Sequence, residues 1–244
     1  MENLLNYVHL RRDIDFSIHP FNEVDMLVCA DLSYVDWDGI VDKDEVSLEE
    51  ACRKYLSLYS KEELKSKYTF SMNLPHLIDA LQDTIRYGNI KLKNYKKVYS
   101  DEDVIQFSVV TLVLPDGSLV LSFSGTDGSI TGWKENLMMT YKQDLPCQIL
   151  AKDYVKETIE NIPETSYLFG LKKKKVYPKM YLTGHSKGGN LAVYAYIKNP
   201  ELQGYIEGVK SFDGPGFVES FWQGDEEISK ITNYIPKDSI VGRV

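Results

Sequence analysis

Five residues constrain this chain more than any other stretch. Gly184-His185-Ser186-Lys187-Gly188 is a G-x-S-x-G set between a strand-like run and a helix-like run. Met180, Tyr181 and Leu182 follow Pro178 as a short apolar run, too short for a helix and suited to a buried strand. Beyond the motif, Leu191 and Ala195, with Ala192 and Tyr196 beside them, recur at i, i+4 spacing as on one helical face. In that context the pattern reads as a nucleophile elbow, a hairpin that forces its serine into strained dihedrals and so needs neighbours without bulk. Gly184 and Gly188, with Gly189 behind them, supply that space. The turn lifts the Ser186 hydroxyl off the sheet and aims the free N–H groups of the new helix at the same point. An oxyanion there would meet the Lys187 N–H. The bland alternative is a glycine-rich helix start with an idle N-cap serine.

Length and charge set the frame. At 244 residues with 43% hydrophobic content, the chain suits one α/β domain with appendages. A net charge of -8 argues against a nucleic-acid partner or an anionic membrane surface, both of which need a positive field. The Lys172-Lys173-Lys174-Lys175 run reads as a solvated loop ahead of a strand. No stretch approaches a transmembrane span, and the first ten residues do not resemble a secretory signal. Three cysteines, Cys29, Cys52 and Cys147, show no metal-ligand spacing, which suits reduced packing thiols in a cytoplasmic protein.

Residues 1–100 read as a helical N-terminal segment packed on a core formed by residues 101–244. Helices are expected over 24–32, from Ser47 to about Leu58, and over 74–87 with Gly88 as the stop. Residues 104–114 and 119–124, joined by Pro115-Asp116-Gly117, predict an antiparallel hairpin at the sheet edge. The second strand runs into Gly125-Thr126-Asp127-Gly128, a loop placed where open α/β sheets build their sites. A helix through Trp133 and Leu137 follows, then one over 146–162 with Ile149, Tyr154, Val155 and Ile159 available to face the sheet. After the elbow come a strand over 206–212, a short helix around 217–221 and a last strand over 228–235. Alternating strands and helices give a mostly parallel central sheet covered on both faces, hence an α/β fold.

The blocks TGHSKGGNLAVYAY, SFDGPGF, NYIPKDSIVG, FSGTDGSITGWKENLMM and LPCQILAKDY, with the N-terminal PFNEVDMLVCADLSYVDWDGI, resemble a bacterial branch of the class 3 lipase-like α/β-hydrolases. The resemblance spans nearly the whole chain. It implies an α/β-hydrolase fold, with Ser186 as nucleophile of an esterase or lipase-type serine hydrolase acting on a carboxylic ester or thioester through an acyl-enzyme. The Lys187 N–H and the Thr126 N–H, with the Thr126 hydroxyl, are implied as oxyanion hole, and Asp238 as the acid that orients a catalytic histidine. No cofactor or metal is required. The partner is a small ester or lipid-like molecule, and the oligomeric state is left open.

Two departures from the family pattern stand out. An arginine usual in the family is replaced by Ser124, and its acidic partner is expected near Asn136, so an ion pair beside the oxyanion loop is expected to be missing. The four histidines, His9, His19, His76 and His185, all lie before or at the elbow. A neutral hydroxyl needs a base within reach. The base is therefore expected beyond residue 244, in a part that this chain lacks; the alternative is a non-catalytic binding or scaffold protein on the same fold. Asp213, the competing acid, reads as structural, and Asp127 as a loop cap.

Overall fold

The N-terminal part folds mainly as helices whose boundaries follow local chemistry. In the computed structural model, which describes residues 4–42, 44–67, 73–167, 172–224 and 226–243, α1 spans Leu4–Arg11 and α2 spans Glu23–Leu32. The Asn22 side chain accepts the Val24 and Asp25 N–H groups, while Asp25 accepts the Asn22 N–H at 3.0 Å, a reciprocal cap that fixes where α2 begins. The two-residue β1 (Val46–Ser47) leads into α3 (Leu48–Ser57), whose start is capped at Ser47 as expected. Then come α4 (Lys61–Lys67), α5 (Leu74–Leu81) and α6 (Ile85–Gly88). The single helix expected over 74–87 is thus two, because the Thr84 hydroxyl accepts the Tyr87 N–H at 3.1 Å and caps a fresh turn.

The all-helical reading of residues 1–100 needs a second correction. Lys91–Ser100 is a long strand, β2, and it belongs to the main sheet. The rest of the chain gives β3 (Ile105–Val113), β4 (Leu119–Phe123), α7 (Ile130–Met138), α8 (Pro146–Glu160), β5 (Glu164–Tyr167), β6 (Lys172–Lys175), β7 (Met180–His185), α9 (Lys187–Ile197), β8 (Ile206–Phe212) and β9 (Ile231–Tyr234). The lysine run is therefore a strand rather than a loop, paired antiparallel with β5 and exposed at Lys173 and Lys174. The helix expected around 217–221 shrinks to a single turn over Glu219–Phe221.

The main sheet runs in the order β1-β2-β3-β4-β7-β8-β9. Its first three pairings are antiparallel and its last three parallel, so β4, β7, β8 and β9 form the parallel half. The β3–β4 hairpin turns at Gly117 with φ +85°, but β2 and β1 extend it outward and β1 takes the edge.

Alternation along the strands divides the core in two. Val110, Leu112 and Val120 face the N-terminal helices, whereas Val109, Leu121 and Phe123 face α8 and α9. Helices thus cover both faces of a mixed sheet, the α/β-hydrolase arrangement expected. Of the residues expected to turn α8 inward, Tyr154, Val155 and Ile159 are buried; Ile149 faces solvent, and Cys147 and Ala151 take the inner positions.

α2 packs across β7, β4 and β8 on the N-terminal side. It is held there by a buried Arg86–Asp25 pair, bidentate at 2.8 and 2.5 Å, which Tyr87 joins through a hydroxyl donated to Asp25 at 2.7 Å. Arg86 also donates to the carbonyls of Ile14 and His19, which ties the loop before α2 into the same knot.

Candidate active site

β7 ends at His185 and α9 begins at Lys187, so Ser186 alone makes the turn. Its backbone sits at φ +54°, ψ −130°, a conformation that L residues rarely adopt and that costs on the order of 1–3 kcal/mol. Neighbours enforce it. The Ser186 N–H donates to the Phe212 carbonyl at 2.8 Å, and the Gly189 N–H donates to the Ser186 carbonyl at 2.8 Å. A Cβ on Gly184 would lie 2.3 Å from the Gly188 backbone, and one on Gly188 would lie 2.1 Å from the Phe123 carbonyl oxygen. Both glycines are therefore demanded by the crossing of the elbow with β4. Ser186 itself is half-buried.

The 124–129 loop leaves β4 next to this crossing. The Asp127 carboxylate accepts the Ser129 N–H at 2.9 Å, and Ser129 caps α7 by accepting the Gly132 N–H at 2.9 Å. Asp127 is thus a loop cap, as its position suggested. Thr126 is half-buried in this loop, and its hydroxyl oxygen is enclosed without a partner among the described residues.

Ser124 supplies no cation to this loop, but a different buried ion pair lies beside it. Ser124 is buried and makes only a local bond, but the side chain of Lys187 runs inward from the elbow. Its ammonium lies 2.6 Å from Glu135 Oε2 and 2.6 Å from Gln106 Oε1, and also donates to the Gln106 carbonyl. Lys187 and Glu135 are fully buried. The cation of this pair comes from the elbow, and the acid sits one residue from the place expected.

The N-terminal segment reaches the same spot. The Tyr34 hydroxyl, just past α2, lies 2.9 Å from His185 Nδ1 and 3.2 Å from the His185 carbonyl oxygen, and it accepts the Gly125 N–H. A single oxygen therefore touches the 124–129 loop and the elbow. Burial holds the His185 imidazole below its usual pKa, with Asp213 pulling the other way, so the ring is neutral at neutral pH.

Asp213, at the end of β8, adopts φ +56° and accepts the Ser239 hydroxyl and, at 3.1 Å, the Gly242 N–H. It thereby fastens the turn that carries Asp238. Asp238 lies exposed in that turn, after β9. His9 and His76 are exposed on α1 and α5, and His19 lies in the loop before α2. None of the four histidines makes a hydrogen bond to Asp238. Sequence reasoning missed Tyr34, Asp31, Gln106 and Glu135 as neighbours of the site. Asp31, Tyr34 and Glu135 did lie in blocks that carried the resemblance, which was their only signal; Gln106 lay outside them.

The three cysteines are buried, and burial pushes their thiols up. Among the described residues, no cluster of side chains suits a metal ion, and no helix is long and apolar enough to cross a membrane.

A model of the Mbeg1-like family matches residues 81–244. Among solved structures, the crystal structure of M37 lipase is similar at 18% identity, with a TM-score of 0.39, over 81% of this chain and 61% of the lipase chain. The chain thus spans less than two thirds of that lipase's length. No curated protein matches it in sequence.

Proposed function

The chain belongs to the Mbeg1-like family, a lipase-like family, and from that premise we propose that it is a serine hydrolase of esterase or lipase type that works through an acyl-enzyme on Ser186. The observation that carries the reading is the Ser186 backbone, at φ +54° between a strand and a helix, where an idle helix cap would have no reason to store strain.

In this reading Ser186 attacks the carbonyl of a carboxylic ester or thioester. The oxyanion of the tetrahedral intermediate is held by the Lys187 and Thr126 N–H groups, to which the unpartnered Thr126 hydroxyl adds a third donor. Asp238 orients the histidine that takes the serine proton and returns it to the leaving group. None of the four histidines in residues 1–244 is assigned that role: among the described residues none has a hydrogen bond to Ser186 or Asp238, and His185 Nδ1 faces the Tyr34 hydroxyl.

The same lack of a histidine at Asp238 favours a second reading, in which the fold serves as a binding or scaffold protein without turnover. A fluorophosphonate probe on the full-length protein separates the two. Labelling that vanishes in Ser186→Ala supports the hydrolase; a wild type that takes no label overturns it.

A further inference from the structure

A cavity of about 810 Å³ lies beside the elbow, between α2 and the carboxyl ends of β8 and β9, and His185 forms part of its wall. Much of the lining is apolar, including Leu27, Leu74 and Ile235, and the stacked rings of Phe212 and Tyr234, 5.0 Å apart, close one side. Its charged lining is all acidic. Glu23, Asp31 and Asp213 contribute carboxyl groups, and among the described residues no lysine or arginine lines it.

Asp31 is the group that points to a ligand. Glu23 stands at the start of α2, and Asp213 spends its carboxylate on Ser239 and Gly242. Asp31, in the last turn of α2, has no hydrogen bond or ion pair for its carboxyl group among the described residues. Partial burial without a partner raises its pKa to about 7. Asp31 is half-buried, so its carboxyl sits in the cavity wall as an unspent counter-charge open to a ligand.

We propose that this cavity binds an amphiphile with a cationic, ammonium-type group on an apolar body, with Asp31 as its counter-charge. The aromatic walls suit the same group, since a quaternary ammonium is attracted to ring faces. An anionic amphiphile would meet three carboxyl groups and no cation. The inference deepens the hydrolase reading by naming the substrate class, a cationic ester seated next to the elbow, but its binding arm stands without turnover.

The other titratable groups facing the cavity are Glu23, Tyr34, His185, Asp213 and Tyr234, and His185 is neutral at neutral pH. A bound cation therefore draws the proton off Asp31. With a pKa near 7, the ionised fraction rises about tenfold between pH 6 and pH 8, and affinity for the cation should rise with it.

The test is calorimetric titration of the chain with octyltrimethylammonium, octyl sulfate and octyl glucoside, each below its micelle concentration. Expected are at least tenfold tighter binding of the cation than of the other two, proton release at pH 7 measured in two buffers, and about tenfold weaker cation binding in Asp31→Asn. Octyl glucoside binding and thermal unfolding report whether that variant keeps its shape. Equal affinity for the three amphiphiles, or a pH-independent cation affinity, overturns the inference. In a protein that hydrolyses esters, a choline ester should be preferred over its uncharged 3,3-dimethylbutyl counterpart. Equal kcat/KM for the two overturns the cationic class and leaves the hydrolase reading intact. Cation binding without fluorophosphonate labelling supports the cavity and removes the hydrolase.

Discussion

Lys187 Nζ and Glu135 Oε2 lie 2.6 Å apart with both side chains fully buried, so the residue after the elbow serine is bolted to the helix that follows the 124–129 loop. One partner cannot be removed cheaply. Lys187→Met leaves Glu135 as an unpaired buried charge whose other oxygen already lacks a partner, and Glu135→Gln leaves the ammonium with neutral acceptors alone. Each single change should cost about 3–5 kcal/mol in urea unfolding, and the double change Lys187→Met with Glu135→Leu should recover most of that loss. A Lys187→Met cost below about 1 kcal/mol would show that the pair does not hold the two elements together.

The elbow glycines make a sharper test, because what they approach is backbone and cannot swing aside. Gly184→Ala and Gly188→Ala place a methyl group 2.3 and 2.1 Å from main-chain atoms. Each should destabilise by about 1–3 kcal/mol or more, and, if the proposed chemistry holds, kcat should fall as Ser186 shifts. Gly204→Ala is the control, since a Cβ there meets nothing within 4 Å. Chemical denaturation of the three variants checks the ranking; a Gly204 change as costly as the other two would refute the steric account.

Tyr34→Phe keeps the ring and deletes the oxygen shared by Gly125 and His185. Two buried polar groups then lose their partner, at about 1–3 kcal/mol of stability. If the proposed chemistry holds, the looser oxyanion turn should lower kcat about tenfold with KM within about twofold, because the contact positions the turn and not the substrate. Steady-state kinetics on a soluble ester read the split, and a rise in KM at constant kcat would place Tyr34 in binding instead.

Local chemistry explains what could be read from the sequence. The elbow was legible because its glycines, its short apolar strand and its helix stand next to one another, and the β3–β4 turn because Pro115-Asp116-Gly117 names it. β2 was not, because Lys91, Lys93, Lys96 and Lys97 dilute its apolar residues, and only pairing with β1 and β3 makes it a strand. The Lys187–Glu135 pair joins positions far apart in the chain, and nothing local marks a lysine as buried. α2 is apolar on a broad face, so the pattern could not tell that its end carries Tyr34 over the elbow.

Asp31 makes stability depend on pH in a direction opposite to most carboxylates. Its pKa is about 7 in the folded protein, against about 3.9 when unfolded. Between those values the folded state binds more protons, so the contribution of Asp31 is fully present below about pH 4 and is lost as pH rises through 7. His185 acts in the other sense: its depressed pKa favours the folded state above about 6.5 and withdraws that support as pH falls. Asp31→Asn removes only the first effect. The variant should gain on the wild type by about 2–4 kcal/mol at pH 8 and by much less at pH 5, read from urea midpoints at the two pH values. A gain that does not change with pH would mean that the Asp31 carboxyl does not titrate between the two pH values, against a raised pKa.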